Sequence, residues 1–163
     1  MQNKSQEHNY IEILISSLDK KISVLGQIIA ANENQKKLAE ADTFDEEKFD
    51  EIYNEKGRLI SELNLLDNGF ESVFDRVSKA LSSNPEQYAN EIHTMQDKVK
   101  KITELSMKIE ASEKRNKDLM DKKTYDMKQD VKSAKASNKA AIGYYQTMNR
   151  LNVIDPQFLD RKK

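Results

Sequence analysis

Two histidines, 28 acidic residues and no cysteine are the groups here from which chemistry would have to be built. A zinc site needs ligands converging from helix-spaced positions. His8 lies in the polar opening of the chain and His93 follows Ile92, and no zinc-type arrangement forms around either. His93 reads as a surface side chain. Acid pairs such as Glu46–Asp50 and Glu47–Glu51 sit four residues apart and read as solvated charge rather than acid/base machinery. The serines lack a histidine in any nucleophile motif. The four glycines are isolated, so no phosphate-cradling loop forms. With no cysteine, disulfide and thiolate chemistry are out, which fits a reducing compartment. The expectation is a protein that is not an enzyme, with no catalytic residue, no metal ligand and no cofactor.

The elements that carry these residues follow from composition. Charged residues make up 34% and apolar ones 37% of 163 residues, and Trp is absent. That is too polar for a wide core, but it suits long helices that each hide a narrow stripe. A net charge of −1 gives no bulk attraction to nucleic acid or membrane. From Glu33 to Asp75 acids outnumber bases thirteen to five, and from Lys98 to Lys139 bases lead thirteen to seven. Two solvated faces attracting each other within one bundle account for that asymmetry. A basic arm on nucleic acid would carry several stacking aromatics, and this stretch has Tyr125 alone, with acids interspersed. The longest purely apolar run is Ile28 to Ala31, too short to span a bilayer, and Met1 to Asn9 lacks the apolar core of a signal peptide. The expected location is the cytoplasm.

Periodicity supplies the helices. Ile11, Leu14, Leu18, Ile22, Leu25 and Ile29 recur every three or four residues, with Tyr10, Ile13 and Ile28 widening the stripe. This first segment covers about 6–41. A break at Ala41 to Asp45 follows, with Thr43 and Glu46 spaced as a capping box. The second segment carries Ile52, Lys56, Leu59, Leu63, Leu66, Phe70, Val73, Val77 and Leu81 in a nearly unbroken heptad alternation. The phase passes through Asp67-Asn68-Gly69, which predicts one continuous helix. Ser82-Ser83-Asn84-Pro85 then stops it, with Asn84 as the expected N-cap and Pro85 at the first position of the third helix. Tyr88, Ile92, Met95, Val99, Ile102, Leu105, Ile109 and Leu119 mark that helix's buried face, and Asn116 falls among them.

Three segments of roughly 36 residues, each about 54 Å long, joined by short connections, predict an all-α fold. It is an elongated, coiled-coil-like antiparallel three-helix bundle over 1–120. The long third helix should extend beyond it. Lys122 to Lys139 is thin in large apolar groups and is expected to be mobile. Hydrophobicity returns in Ile142, Tyr144, Tyr145, Met148, Leu151, Val153 and Ile154, then Phe158 and Leu159. No remaining element covers this cluster, so 121–163 is expected to be an extended C-terminal helix and tail that meets a partner. Folding back on the bundle, or closing a homodimer, are the other ways to cover it.

Three stretches resemble the FlgN family of flagellar type III export chaperones. They are "NEKGRLISELNLLDNGFESVF" (Asn54–Phe74), "KAAIGYYQTMNRLNVIDPQFLDRKK" (Lys139–Lys163) and, more weakly, "YIEILISSLDKKISVL" (Tyr10–Leu25). The resemblance implies a cytoplasmic helical protein that binds hook-associated, hook–filament junction proteins. It would keep them from associating prematurely and pass them to the export apparatus. By the same resemblance, the client-binding residues are Ile142, Tyr144, Tyr145, Met148, Leu151, Ile154, Phe158 and Leu159. A chaperone of the filament-cap protein, or a dimeric coiled-coil adaptor without an export role, are the competing readings. None involves nucleic acid or membrane insertion.

Overall fold

A computed structural model describes residues 2–133 and 138–152, with side chains over 4–133 and at 142, 143 and 145–150. Four helices follow one another: α1 (Gln2–Glu40), α2 (Glu46–Ser83), α3 (Ala89–Ser133) and α4 (Asn138–Asn152). Among the described residues there is no strand. Packing divides the chain into two compact units, Met1–Ile28 with Arg58–Lys108, and Ile29–Gly57 with Ile109–Lys163. Within α3 the division falls between Lys108 and Ile109. The described residues after Ile109 pack with the end of α1 and the start of α2.

Helix starts and stops have local causes. α2 opens on Asp45, whose carboxylate accepts the backbone N–H of Lys48 at 3.1 Å, the N-cap geometry. Phe44 before the cap meets Phe49 four residues after it, with ring centroids 5.6 Å apart, a hydrophobic staple. The cap is thus Asp45, not Thr43, which is exposed. Asp67-Asn68-Gly69 does lie inside one helix, because Leu63 and Val77 on either side are buried in the same phase. The second break differs from expectation. Asn84 and Pro85 open a turn, closed by the Gln87 N–H on the Asn84 carbonyl at 3.1 Å, and regular α3 begins only at Ala89. The three-residue spacing of that bond tightens the first turn away from α geometry.

In the first unit, Ile11, Leu14, Leu18, Val77, Leu81, Tyr88 and Met95 form the buried cluster. Burying each large aliphatic side chain is worth about 1.5–3 kcal/mol. Polar pairs on its edge fix direction. Glu7 meets Tyr88 and Asp19 meets Lys98, so α1 and α3 run parallel here. Tyr10 meets Arg76 and Lys21 meets Asp67, so α2 runs against α1. The Arg76 guanidinium also lies 5.6 Å from the centre of the Tyr10 ring. Two residues assigned to stripes are largely open: Ile13 is 51% and Val99 49% exposed.

In the second unit the apolar cluster is Ala39, Phe49 and Met120, with Leu38, Phe44, Leu119 and Met127 against it. α1 and α3 again run parallel, with Asn32 bonded to Ser112 and Lys123 to the Ala41 carbonyl. The Lys123 ammonium thus serves the carbonyl end of α1, where the helix dipole favours a cation. The expectation that 122–139 leaves the bundle is corrected for its described part. Thr124 is buried, Met127 packs on the Phe49 cluster and Val131 is half-buried. Residues 134–137 lie outside the described residues.

Candidate functional site

The sequence puts partner contact at the C-terminal end, and α4 is its described part. α4 is seated rather than free. Thr147 donates to a Glu46 carboxylate oxygen at 3.0 Å, and Arg150 reaches both Glu46 and Asp50 at 2.5 Å. Glu46 and Asp50 are therefore a pair of anchors in the first turns of α2, not merely solvated charge. Arg150 stands in the last turn of α4 and Glu46 in the first turn of α2, so each charge also suits its own helix dipole. These side chains are 30–48% exposed, which limits such pairs to roughly 1 kcal/mol.

Burial separates the expected contact residues. Met148 is 1% exposed and belongs to the interior of the second unit, which corrects its assignment to a free surface. Ile142 and Tyr145 are 57% and 54% exposed. With Asn149, also exposed, they recur at spacings of three and four and define the outward face of α4. Tyr144 and Leu151 lie in α4, but their side chains are outside the described residues, as are Ile154, Phe158 and Leu159 altogether. The physical reason for the correction is local. An amphipathic fifteen-residue helix with an anchor pair opposite it buries one side and keeps the other.

The second unit also holds a polar layer that the sequence showed only as flaws in its stripes. Lys56 and Glu113 meet at 2.6 Å with 2% and 4% of their side chains exposed. The Lys56 ammonium also donates to Gln35 at 3.1 Å. Asn116 donates to the Asn32 carbonyl at 2.9 Å, and Asn32 donates to Ser112 at 2.7 Å. Burial holds the Lys56 ammonium below the ordinary lysine value of 10.5, and the Glu113 carboxylate opposes that shift. At the rim, Arg115 bonds Glu33 at 2.9 Å and holds that carboxyl below its usual range. Except for the Asn32 Oδ1, which has no hydrogen-bond partner among the described residues, these groups bond one another, so the layer reads as architecture. Asn32 and Gln35 continue the phase of Leu25 and Ile28, which is the signal that would have placed them inside.

His8 and His93 face Glu12 and Asp97 on their own helices and are more than half exposed. Among the described residues, no group of three or more His, Cys, Asp or Glu side chains is placed to hold a metal ion. No helix among them is long and apolar enough to cross a membrane.

Fold and surface together define an all-α helical bundle with an outward apolar face on its last described helix. Neither family models, curated proteins nor solved structures give a match to the chain.

Proposed function

We propose that this protein is a cytoplasmic export chaperone of the flagellar type, and that it holds amphipathic helical segments of hook-associated proteins until the type III export apparatus takes them. The observation that carries this reading is the division of α4. Met148, Thr147 and Arg150 seat the helix, while Ile142 and Tyr145 remain more than half exposed on its other side. The resemblance of Lys139–Lys163 to the FlgN family supports the choice of client. A tyrosine offers large, rigid contact area with a polar tip, suited to a helix laid against it. Ordering an unfolded client on binding costs about 2–5 kcal/mol, which keeps release feasible. The role requires no reaction, nucleotide, metal or cofactor from the chain.

The test is co-purification of the full chain with C-terminal segments of hook-associated proteins, with the filament-cap protein as a parallel arm. The Ile142→Ser/Tyr145→Ser variant should lose the hook-associated segments while its melting temperature stays within a few degrees. Equal recovery by variant and parent would refute the assignment. Preferential capture of the cap protein would move the reading to the sister chaperones. A homodimer that falls apart in the variant would favour the adaptor reading.

A further inference from the structure

The first unit carries an apolar groove of about 510 Å³ between α2 and α3, remote in sequence from α4. Its walls are Phe70, Phe74 and Leu81 from α2 with Ile92, Met95 and Val99 from α3. Phe74 is 40% and Val99 49% exposed, so the groove is open to solvent. The Phe70 and Phe74 rings stack with centroids 5.9 Å apart and planes within 10°, presenting a flat aromatic wall. From Phe70 to Leu81 the wall runs about 17 Å, the length of roughly three helical turns.

The rims carry charge that the bundle does not use. On α2, Glu71, Asp75, Ser78 and Ser82 follow one another at spacings of four and three, hence along one line of the helix. Ser78 and Ser82 line the groove, so the two carboxylates continue its edge. Both are exposed, and neither forms an ion pair among the described residues. On α3, Gln96 lines the groove and Lys100 stands four residues on, also exposed and unpaired among the described residues. The α2 rim thus carries two carboxylates along the groove, with exposed Lys79 one turn beyond Asp75, while the α3 rim carries Lys100. Lys21 and Arg76 are occupied elsewhere, on Asp67 and Tyr10.

We infer that this groove is a second polypeptide-binding site. It takes an amphipathic helix of about three turns, apolar along one face and bearing lysine or arginine along the flank that meets Glu71 and Asp75. The apolar face covers Phe74 and Val99, and the basic flank supplies the counter-charges the α2 rim lacks. Lys100 meets the opposite flank and favours an acidic or amide residue there, which sets the direction in which the helix lies. The site is independent of the client reading of α4, and its test fails or succeeds separately.

The probes are lactam-bridged helical peptides with one leucine stripe and one glutamine flank, the other flank being lysine in one peptide and glutamate in its twin. Binding to the full chain is read by fluorescence anisotropy. The lysine peptide should bind about tenfold more tightly than the glutamate peptide, the effect expected of two exposed rim pairs turned from attraction to repulsion. Glu71→Lys/Asp75→Lys should reverse that order. Phe74→Ser/Val99→Ser should abolish binding of both, with circular dichroism and melting as controls. Ile142→Ser/Tyr145→Ser should leave binding unchanged. Equal binding of the two peptides, binding of neither, or an order unaffected by the charge reversal would overturn the inference. So would a homodimer in sedimentation that the Phe74→Ser/Val99→Ser variant dissociates, since a second copy would then be the occupant.

Discussion

Lys56 of α2 and Glu113 of α3 form an ion pair 2.6 Å long inside the second unit, nearly sealed from water. A pair in this setting contributes little net stability, because removing two charges from water offsets their attraction, yet breaking it is costly. Lys56→Met strands Glu113 and should cost about 3–5 kcal/mol in urea unfolding. The double variant Lys56→Met/Glu113→Leu should return to within about 1 kcal/mol of the parent or exceed it. A double variant that stays as destabilised as Lys56→Met would mean that the pair stabilises the fold outright, and strictly additive losses would mean that the two side chains are not coupled.

The seating of α4 gives a second prediction. Met148→Ala should weaken protection of the 138–152 amides in hydrogen exchange, by an amount corresponding to about 2–5 kcal/mol for a buried methionine. Ile142→Ala, on the open face, should change it by less than about 0.5 kcal/mol. If both variants exchange alike, Met148 does not anchor the helix.

Tyr88 carries a pH prediction. Its hydroxyl donates to Glu7 at 2.8 Å, and the bond to that carboxylate, with burial adding, holds the phenol above the ordinary tyrosine value of 10.0. A raised folded value means this contribution to stability is complete below pH 10.0 and disappears as pH rises through the folded value. Ultraviolet titration, with Tyr88→Phe as the difference reference, should show Tyr88 ionising above 10.0. In Glu7→Gln that titration should move down towards 10.0. An unmoved curve would remove Glu7 as the cause.

The start of α2 separates two capping assignments. Asp45→Ala should cost about 1 kcal/mol and Asp45→Asn much less, since asparagine retains the accepting oxygen. Thr43→Ala should be nearly silent. The reverse order in thermal melts would return the cap to Thr43.

Much of the fold was legible because helical periodicity and breakers are local. The heptad run from Ile52 to Leu81 predicted a continuous α2 through Gly69, and the break at 41–45 fell where the structure has it. Local spacing was less able to choose between adjacent phases. Ile28 is fully buried while Ile29 is half-buried, and Val99 lines an open groove although it keeps the stripe's spacing. The candidate site was legible in its residue types but not in its exposure. Ile142, Tyr145 and Met148 look alike as sequence, and only the position of Glu46 and Asp50 beside α4 decides which of them is covered.

The helices are set locally, because each depends on residues three or four apart along one stretch of chain. Tertiary structure alone decided which polar residues were taken inward. Lys56 and Glu113 are 57 positions apart in sequence, and their pairing follows from the register of α2 against α3. Helix register is a sum over many side-chain contacts between distant segments. No short motif encodes it, so the buried pair, the seat of Met148 and the groove beside Phe74 emerge only when the helices meet.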